Sequence, residues 1–245
     1  MVGGHSSHSL GHSSRDRFAT SRWSQVIRRD TPDNASARGA LAELSVRYRY
    51  PVYAYLRRSG HPPASVRVLT EHFLSELTAD LPQENTTSAS GQFRAFLLVR
   101  LHAFLIKPPQ ADVSADAMAG DELEKRYLND RLGAVTPEQA FHLCYARELL
   151  QRARAQLKKE AAQAGRDGLY AALEPYLALE PEPGRLALIA NAQNASASLV
   201  AIALRRLRQR FRELVDEELV ETVGGVTDLE REREALFAAL SAQKP

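Results

Sequence analysis

The chain has 245 residues, of which 44% are hydrophobic and 25% are charged, and its formal net charge is +2. This composition has room for one or two folded domains and excludes disorder over the whole length. The single cysteine, Cys144, excludes a disulfide scaffold and is typical of a reducing compartment, so we expect a cytoplasmic protein without a secretory signal. The longest uncharged stretch, Leu186 to Leu204, carries Asn, Gln and Ser in its middle, so we expect no membrane-spanning segment.

Hydrophobic residues recur with helical spacing along nearly the whole chain, and the predicted fold class is therefore all-α. Residues 1–14 are rich in Gly, Ser and His and are predicted to form a disordered tail. His5, His8 and His12 lie in that tail, but Gly and Ser oppose the helix that would bring them together, so no metal site is expected.

Four helical segments are predicted in the N-terminal part. The first begins near Phe18 and ends before the turn at 31–34, and the second covers 35–49. Pro51 either ends that second helix or opens a further piece that continues to Arg58. The third and fourth cover 64–79 and 92–106. Their predicted buried positions are Val66, Leu69, Phe73 and Leu77, and then Phe93, Phe96, Leu97, Leu101 and Phe104.

Pro108 and Pro109 stop the fourth helix, and the small polar residues that follow predict an interdomain linker. Thr136-Pro137-Glu138-Gln139 is typical of a helix start, with a capping Thr, Pro at the first helical position and Gln at the third. Further helices are predicted over 141–162, 169–179, 185–192, 196–221 and 228–240.

The segment RLALIANAQNASASLVAIALRRLRQRFREL, which begins at Arg185, predicts a helix-turn-helix. Asn194 falls where the turn needs a left-handed residue, and Ser196 is a natural N-cap for the second helix. The buried stripe of that helix is predicted to be Val200, Ala203, Leu204, Leu207, Phe211 and Leu214.

Five arginines and no acid lie between Arg205 and Arg212, and most of them face away from the buried stripe. Without an anionic partner these charges repel one another, and the DNA backbone is one candidate partner. The alternative is a solvated basic face whose charges are offset by local ion pairs. The predicted DNA-binding residues are Ser196, Ser198, Ala201, Arg205, Arg206, Arg208 and Arg212.

The order of these segments resembles the bacterial extracytoplasmic-function (ECF) sigma factors. The strings that carry the resemblance are FATSRWSQVI, ALAELSVRYRYPVYAYLRRSGHPP, LTEHFLSEL, GQFRAFLLVRL and the late ETV, and together they extend from about Phe18 to Leu240. The resemblance implies a region 2-like domain that binds the clamp helices of the polymerase β′ subunit and melts the −10 element, and a region 4-like domain that reads the −35 element. The predicted domains are then the tail over 1–14, region 2 over 15–107, a linker over 108–135, region 4 over 136–222 and a helical extension over 223–245.

Sigma factors of this family usually carry an acidic motif on the third helix of region 2, and this chain departs from it. The positions of the predicted polymerase-docking face are Ser65, Arg67, Val68 and His72, and Glu71 is the only acid in the stretch. One interpretation is a decayed docking site. The other is control by a Ser/Thr kinase, because a phosphate at Ser65 or Thr70 would supply the missing negative charge. A packing role for Thr70, beside Leu69 and Phe73, is the alternative to its phosphorylation.

The resemblance implies a sigma factor that directs transcription initiation, with core RNA polymerase, promoter DNA and a Ser/Thr kinase as partners. The alternative is a sigma-like DNA-binding regulator that no longer engages polymerase. No enzyme activity, cofactor or metal is expected, since Cys144 lies among apolar residues and the histidines lack a catalytic spacing. The helix that stops before Pro108 lacks the usual basic extension used in −10 recognition, and Phe93, Phe96 and Phe104 are expected to be core residues rather than base-stacking groups.

Overall fold

The computed structural model describes residues 18, 20–27, 34–79, 92–106 and 122–242. Within these ranges the chain is all-α, as predicted, and contains no strand; Gln92 and Val223 form an isolated antiparallel bridge. The predicted tail over 1–14 with its three histidines, and the Pro108–Pro109 stop with residues up to 121, lie outside the described residues.

The helices follow the predicted order closely. They are α1 (Arg22–Ile27), α2 (Asn34–Arg58), α3 (Pro63–Ala79), α4 (Phe93–Ile106), α5 (Glu122–Asn129), α6 (Pro137–Gln163), α7 (Asp167–Leu173), α8 (Arg185–Ala192), α9 (Ala197–Val220) and α10 (Val226–Ser241), with a short 3-10 turn at Glu174–Tyr176. In the described part of the chain no single helix has the length and apolar character needed to cross a membrane; α8 and α9 meet that criterion only when joined, and they bend by 102° at their junction.

The chain divides into two compact units. Unit 1 is Met1–Glu148 together with Leu219–Pro245, and unit 2 is Leu149–Glu218. This division differs from the predicted domains, which placed residues 136–222 in one domain and 223–245 in an extension. The difference arises because the first part of α6 and the C-terminal segment are both packed into unit 1.

The first part of α6 belongs to unit 1 because it buries its apolar face against α2. Tyr50 and Ala54 of α2 form a buried cluster with Leu143 and Cys144 of α6. Helix α5 joins the same unit, since Glu124 accepts two hydrogen bonds of 2.9 Å from the Arg57 guanidinium. Residues 122–129 of the predicted linker are therefore a packed helix, because α5 has both an ion pair and apolar contacts that anchor it.

The C-terminal segment also belongs to unit 1. The backbone N–H groups of Trp23 and Phe93 donate to the carbonyl oxygens of Glu221 and Thr222, at 3.1 and 2.9 Å. Further along the same segment, Glu232 of α10 is fully buried and accepts hydrogen bonds of 3.0 and 3.2 Å from Nε of Arg94. Residues 219–242 are thus part of the core and not an appended extension.

Pro51 lies inside α2, so the prediction that the helix breaks there was wrong. A proline within a helix costs about 3 kcal/mol, because it removes one backbone hydrogen bond and crowds the preceding turn. Here the surrounding residues offset that cost, since the stretch on both sides of Pro51 is buried: Tyr50, Val52, Tyr53, Ala54, Tyr55 and Leu56. The burial of the five large side chains in this stretch, worth about 1.5–3 kcal/mol each, keeps the helix continuous.

The core of unit 1 is aromatic. The Trp23 ring lies 5.2 Å from both Phe93 and Phe96, and the Tyr48 ring stacks on Tyr145 at 4.9 Å. Rings at this separation add attraction beyond the area that they bury. All nine predicted buried positions of α3 and α4 are confirmed as buried. Phe93, Phe96 and Phe104 are among them, as expected for core residues.

Unit 2 is built from two smaller aliphatic clusters. In one, Leu157 of α6 and Leu214 of α9 pack with Tyr170 of α7. In the other, Ile189 of α8 packs with Leu204 of α9 and their neighbours. These clusters fix the positions of α8 and α9, which carry the predicted DNA-binding residues.

Candidate nucleic-acid interface

Helices α8 and α9 are joined by a tight turn of four residues, 193–196, and bend by 102° relative to each other. Helix pairs that bind DNA cross at about 90–120° with a turn of similar length. Asn194 has φ 50°, so the predicted left-handed residue is confirmed. The N–H of Ala195 donates to the carbonyl oxygen of Ala190 at 2.9 Å, which ends α8 and reverses the chain.

Ser196 caps the start of α9. Its hydroxyl oxygen accepts a hydrogen bond from the N–H of Leu199 at 3.3 Å and lies 3.0 Å from the hydroxyl of Ser198. An N-cap of this type stabilises a helix by about 1 kcal/mol. The predicted cap is confirmed, and both serines are exposed at the N-terminal end of α9, where a recognition helix meets base edges.

The inner face of α9 follows the predicted stripe. Val200, Leu204 and Leu214 are buried, while the three other predicted positions are half-buried: Ala203, Leu207 and Phe211. The stripe packs on α7 and α8, which leaves the opposite face of α9 directed to solvent.

Arg208 does not belong to that open face, contrary to the prediction. Its Nε donates to the carbonyl oxygen of Tyr176 at 2.9 Å, and its Nη atoms donate to Glu180 Oε1 and to the carbonyl oxygen of Leu179. All three nitrogen atoms of the guanidinium thus donate a hydrogen bond to the segment before α8. Arg208 therefore holds this loop against α9, and we remove it from the candidate DNA contacts.

Arg210 is also neutralised within the protein. Its guanidinium bonds both carboxylate oxygens of Glu160 and one oxygen of Glu217, all within 3.0 Å, and approaches Glu213 at 3.4 Å. These hydrogen bonds, together with the attraction of the same carboxylates, raise the pKa of Arg210. Two of the five arginines thus have anionic partners inside the protein, as the alternative of local ion pairs predicted for this part of the run.

Arg205, Arg206 and Arg212 remain exposed on α9. Among the described residues Arg205 and Arg206 have no ion-pair partner, and Arg212 donates to the neutral amide oxygen of Gln209 at 2.7 Å. Ser198 and Ala201 lie on the same exposed side. This side of α9 therefore offers exposed cations and serine hydroxyls, which are groups that can contact phosphates.

Sequence reasoning missed a third face of α9. Leu199 and Ile202 are 61% and 46% exposed. They line a cleft of about 310 Å³ between α7, the end of α6 and α9. The signal was present, because Leu199, Ile202, Arg206 and Arg210 recur at helical spacing, but Leu199 and Ile202 belonged to neither the predicted buried stripe nor the predicted basic face.

The predicted polymerase-docking residues all belong to α3. Arg67 and His72 are exposed, and Ser65 and Val68 are half-buried. The acids of this surface already have cationic or histidine partners within the protein: Glu71 pairs with Arg49, and Glu76 lies 3.0 Å from Nε2 of His72. The face carries no cluster of free carboxylates in the described part of α3.

The structure contradicts Thr70 as an accessible phosphorylation site. Its side chain is completely buried, and its hydroxyl donates to the carbonyl oxygen of Val66 at 2.7 Å. A phosphate at this position would have to replace that bond in an apolar environment, which requires α3 to detach. Thr70 is a core residue, and Ser65 is the accessible candidate of the two.

The remaining reactive side chains are engaged in packing. Cys144 is buried, and burial raises the pKa of its thiol to about 12, so it stays protonated and is a poor nucleophile at neutral pH. His142 accepts a hydrogen bond of 2.7 Å from Arg94, and His102 lies 3.3 Å from Glu138. Within the described ranges no group of three or more His, Cys, Asp or Glu side chains is placed to hold a metal ion.

Comparison of the chain with protein-family models, with curated proteins and with solved structures finds no match.

Proposed function

We propose that this protein is a sigma-like transcription factor whose α8–α9 helix-turn-helix binds promoter DNA. The geometry that supports this is the 102° bend between the helices, with Asn194 in the turn and Ser196 at the helix start. The resemblance of its segments to ECF sigma factors supports promoter recognition as the purpose of that binding.

The observation that carries the proposal is the exposed cationic face of α9. Arg205, Arg206 and Arg212 extend to solvent without a carboxylate partner in the described residues, whereas their neighbours Arg208 and Arg210 are fully paired. Cations that are left unpaired beside paired ones are suited to phosphate contacts. The scarcity of base-reading side chains in the first turn of α9 suggests that phosphate contacts dominate the affinity.

The test replaces Arg205, Arg206 and Arg212 together with Gln, which keeps helix propensity. We expect DNA binding to weaken by about ten- to hundredfold at moderate salt, on sequences of any kind. The slope of log Kd against log salt should fall by about 2 to 3, because each phosphate contact contributes about 0.9. Fluorescence anisotropy with a labelled duplex measures both quantities.

The matched control replaces Arg154, Lys158 and Lys159 with Gln, since all three are exposed cations in the same unit on α6. This variant changes the net charge equally but leaves α9 intact, so its DNA affinity should fall only slightly. Equal losses in the two variants would show that binding follows net charge alone and would contradict an interface on α9.

A DNA-binding regulator that does not engage polymerase is the second candidate function, and the α3 face favours it. The carboxylate of Glu71 pairs with Arg49, and Arg67 is an exposed cation of the same helix, so this surface offers little net negative charge to a basic clamp. Like charges that face each other across an interface cost several kcal/mol. Co-purification of the unmodified protein with core RNA polymerase distinguishes the two functions: stable association supports the sigma factor, and its absence supports the regulator.

In the sigma-factor proposal, phosphorylation of Ser65 by a Ser/Thr kinase supplies the missing charge and switches docking on. Rebuilding the acidic face with Ser65→Asp, Arg67→Glu and Val68→Asp should then increase polymerase binding at least tenfold without any kinase. The control is Ser75→Asp, an exposed position on the same helix. If the rebuilt variant is folded but binds polymerase no better than the wild type, the charge switch is wrong.

A further inference from the structure

The cleft of unit 2 has the size and lining of a small-molecule site. Its volume of about 310 Å³ is at the lower end of the range for ligand pockets, about 300–1,000 Å³. The walls are mainly aliphatic and come from three helices: Leu157 and Ala161 of α6, Leu169 and Leu173 of α7, and Ile202 and Leu207 of α9. Such walls bind the apolar body of a ligand.

The cleft has no polar side chain free to pair with the middle of a ligand. Apart from its arginines, the lining has two polar side chains, Glu160 and Tyr170. Both carboxylate oxygens of Glu160 accept hydrogen bonds from Arg210. The Tyr170 hydroxyl is directed to the carbonyl oxygen of Arg154, 3.4 Å away. A ligand with polar groups along its length would therefore lose hydrogen bonds to water without replacement.

Charge is available at the open side of the cleft. Arg166 and Arg206 line it, are exposed and have no ion-pair partner within the described residues. Two unpaired cations beside an aliphatic wall complement a molecule that carries one negative end. Arg210 does not add to this charge, because its carboxylate partners neutralise it.

We propose that the cleft binds a small amphiphile with an unbranched alkyl body and a single anionic head group, of the fatty-acid type. The alkyl chain lies along the aliphatic walls, and the carboxylate pairs with Arg166 and Arg206. The site is separate from the proposed DNA contacts except for Arg206.

Calorimetry with the full chain and a series of saturated carboxylates, all below their micelle concentrations, tests the proposal. From octanoate to decanoate we expect the affinity to rise about tenfold, because each buried methylene strengthens binding about three- to fourfold. The increase should stop once the alkyl chain exceeds the cleft. Decan-1-ol, which lacks the negative charge, should bind more weakly than decanoate.

Two pairs of variants locate the site. Ala164→Trp fills the cleft from an exposed lining position and should abolish decanoate binding, while Ala162→Trp, exposed but outside the lining, should not change it. Arg166→Gln should weaken decanoate at least fivefold and leave decan-1-ol unchanged, while Lys159→Gln should affect neither ligand. Circular dichroism of each variant checks that the helices are retained.

Several results would overturn the proposal. They are an affinity that does not depend on chain length, an equal loss in Ala162→Trp and Ala164→Trp, or no binding of decanoate by the folded wild type. A dimer in light scattering that Ala164→Trp converts to a monomer would instead assign the cleft to a second copy of the chain.

Discussion

Unit 1 contains a buried ion pair that has no counterpart among the described ion pairs of unit 2. In unit 1 the side chain of Glu232 is fully buried and its partner Arg94 is only 12% exposed. In unit 2 the paired side chains of Arg210 and Glu160 are 36% and 29% exposed. Removing an ion pair from water costs a large desolvation free energy, so the loss of one partner leaves a buried charge that nothing compensates. A surface ion pair, by contrast, contributes little to the stability of the fold.

This difference bears on function. Neither side chain of the buried pair in unit 1 can bind another ion while the protein is folded, so we expect the pair to contribute to stability only. The exposed cations of unit 2 can exchange a protein carboxylate or water for another anion at small cost. The surface of unit 2 is therefore where we expect anionic ligands such as DNA phosphates, and the following predictions test this contrast.

The largest effect is expected from Glu232→Leu, which leaves the Arg94 guanidinium buried without its counter-charge. The free energy of unfolding should fall by about 3–5 kcal/mol, measured by urea denaturation. The double variant Arg94→Met with Glu232→Leu should recover most of this loss, because it removes both charges. Glu234→Leu, at an exposed position of the same helix, is the control. An equally small effect at both positions would contradict a structural role for the buried pair.

A pH effect is expected from His142, which is also in unit 1. Burial, followed by the charge of Arg94, lowers the pKa of His142 from 6.5 to about 4. The unfolded chain takes up this proton near pH 6.5 while the folded protein resists it, so stability is lost as the pH falls from 6.5 to 4. Over this interval the wild type should lose about 2–3 kcal/mol more than His142→Asn, which cannot be protonated. Parallel stability curves for the two proteins would contradict the prediction.

In unit 2 a backbone effect is expected at Asn194, whose φ of 50° is left-handed. Asn194→Ala should destabilise the protein by about 1 kcal/mol, because a Cβ without a polar group disfavours this conformation. Asn194→Gly should be neutral or stabilising, since glycine adopts positive φ freely. Thermal denaturation of the two variants provides the comparison, and a stable alanine variant would mean that the turn adopts another conformation.

The smallest effect is expected at Arg210 of unit 2. Arg210→Gln breaks its pairs with Glu160 and Glu217, yet the loss should be about 1 kcal/mol or less because the group is exposed. High salt should reduce this loss further, whereas it should not change the effect of Glu232→Leu. A salt-insensitive loss of several kcal/mol at Arg210 would remove the distinction between the two units.

Features that depend on neighbouring residues could be predicted from the sequence. The Thr136 cap is an example: its N–H donates to Gln139 Oε1 at 2.9 Å, and its hydroxyl accepts from the Gln139 N–H at 3.2 Å, as the spacing predicts. The left-handed Asn194 and the buried positions of α3 and α4 belong to the same class, since helix periodicity and turn chemistry act over a few residues.

Features that depend on distant residues could not be predicted in this way. Pro51 stays helical because other helices bury its surroundings, and Glu232 is buried because Arg94, 138 positions earlier, meets it. In the candidate site, Arg208 pairs with Glu180 and Arg210 with Glu160, so that only part of the arginine run remains open. The sequence shows which residues are charged, but three-dimensional packing decides which charges have partners.

The position of residues 219–242 in the core of unit 1 has a consequence for biosynthesis. The backbone N–H groups of Trp23 and Phe93 donate to Glu221 and Thr222, so the first part of unit 1 is completed by residues that are translated after unit 2. A ribosome that adds about 5–20 residues per second completes unit 2 about one to five seconds before it reaches residue 242. During that interval the backbone N–H groups of Trp23 and Phe93 lack the partners that residues 221 and 222 supply, so we expect unit 1 to complete its fold only after unit 2 has been translated.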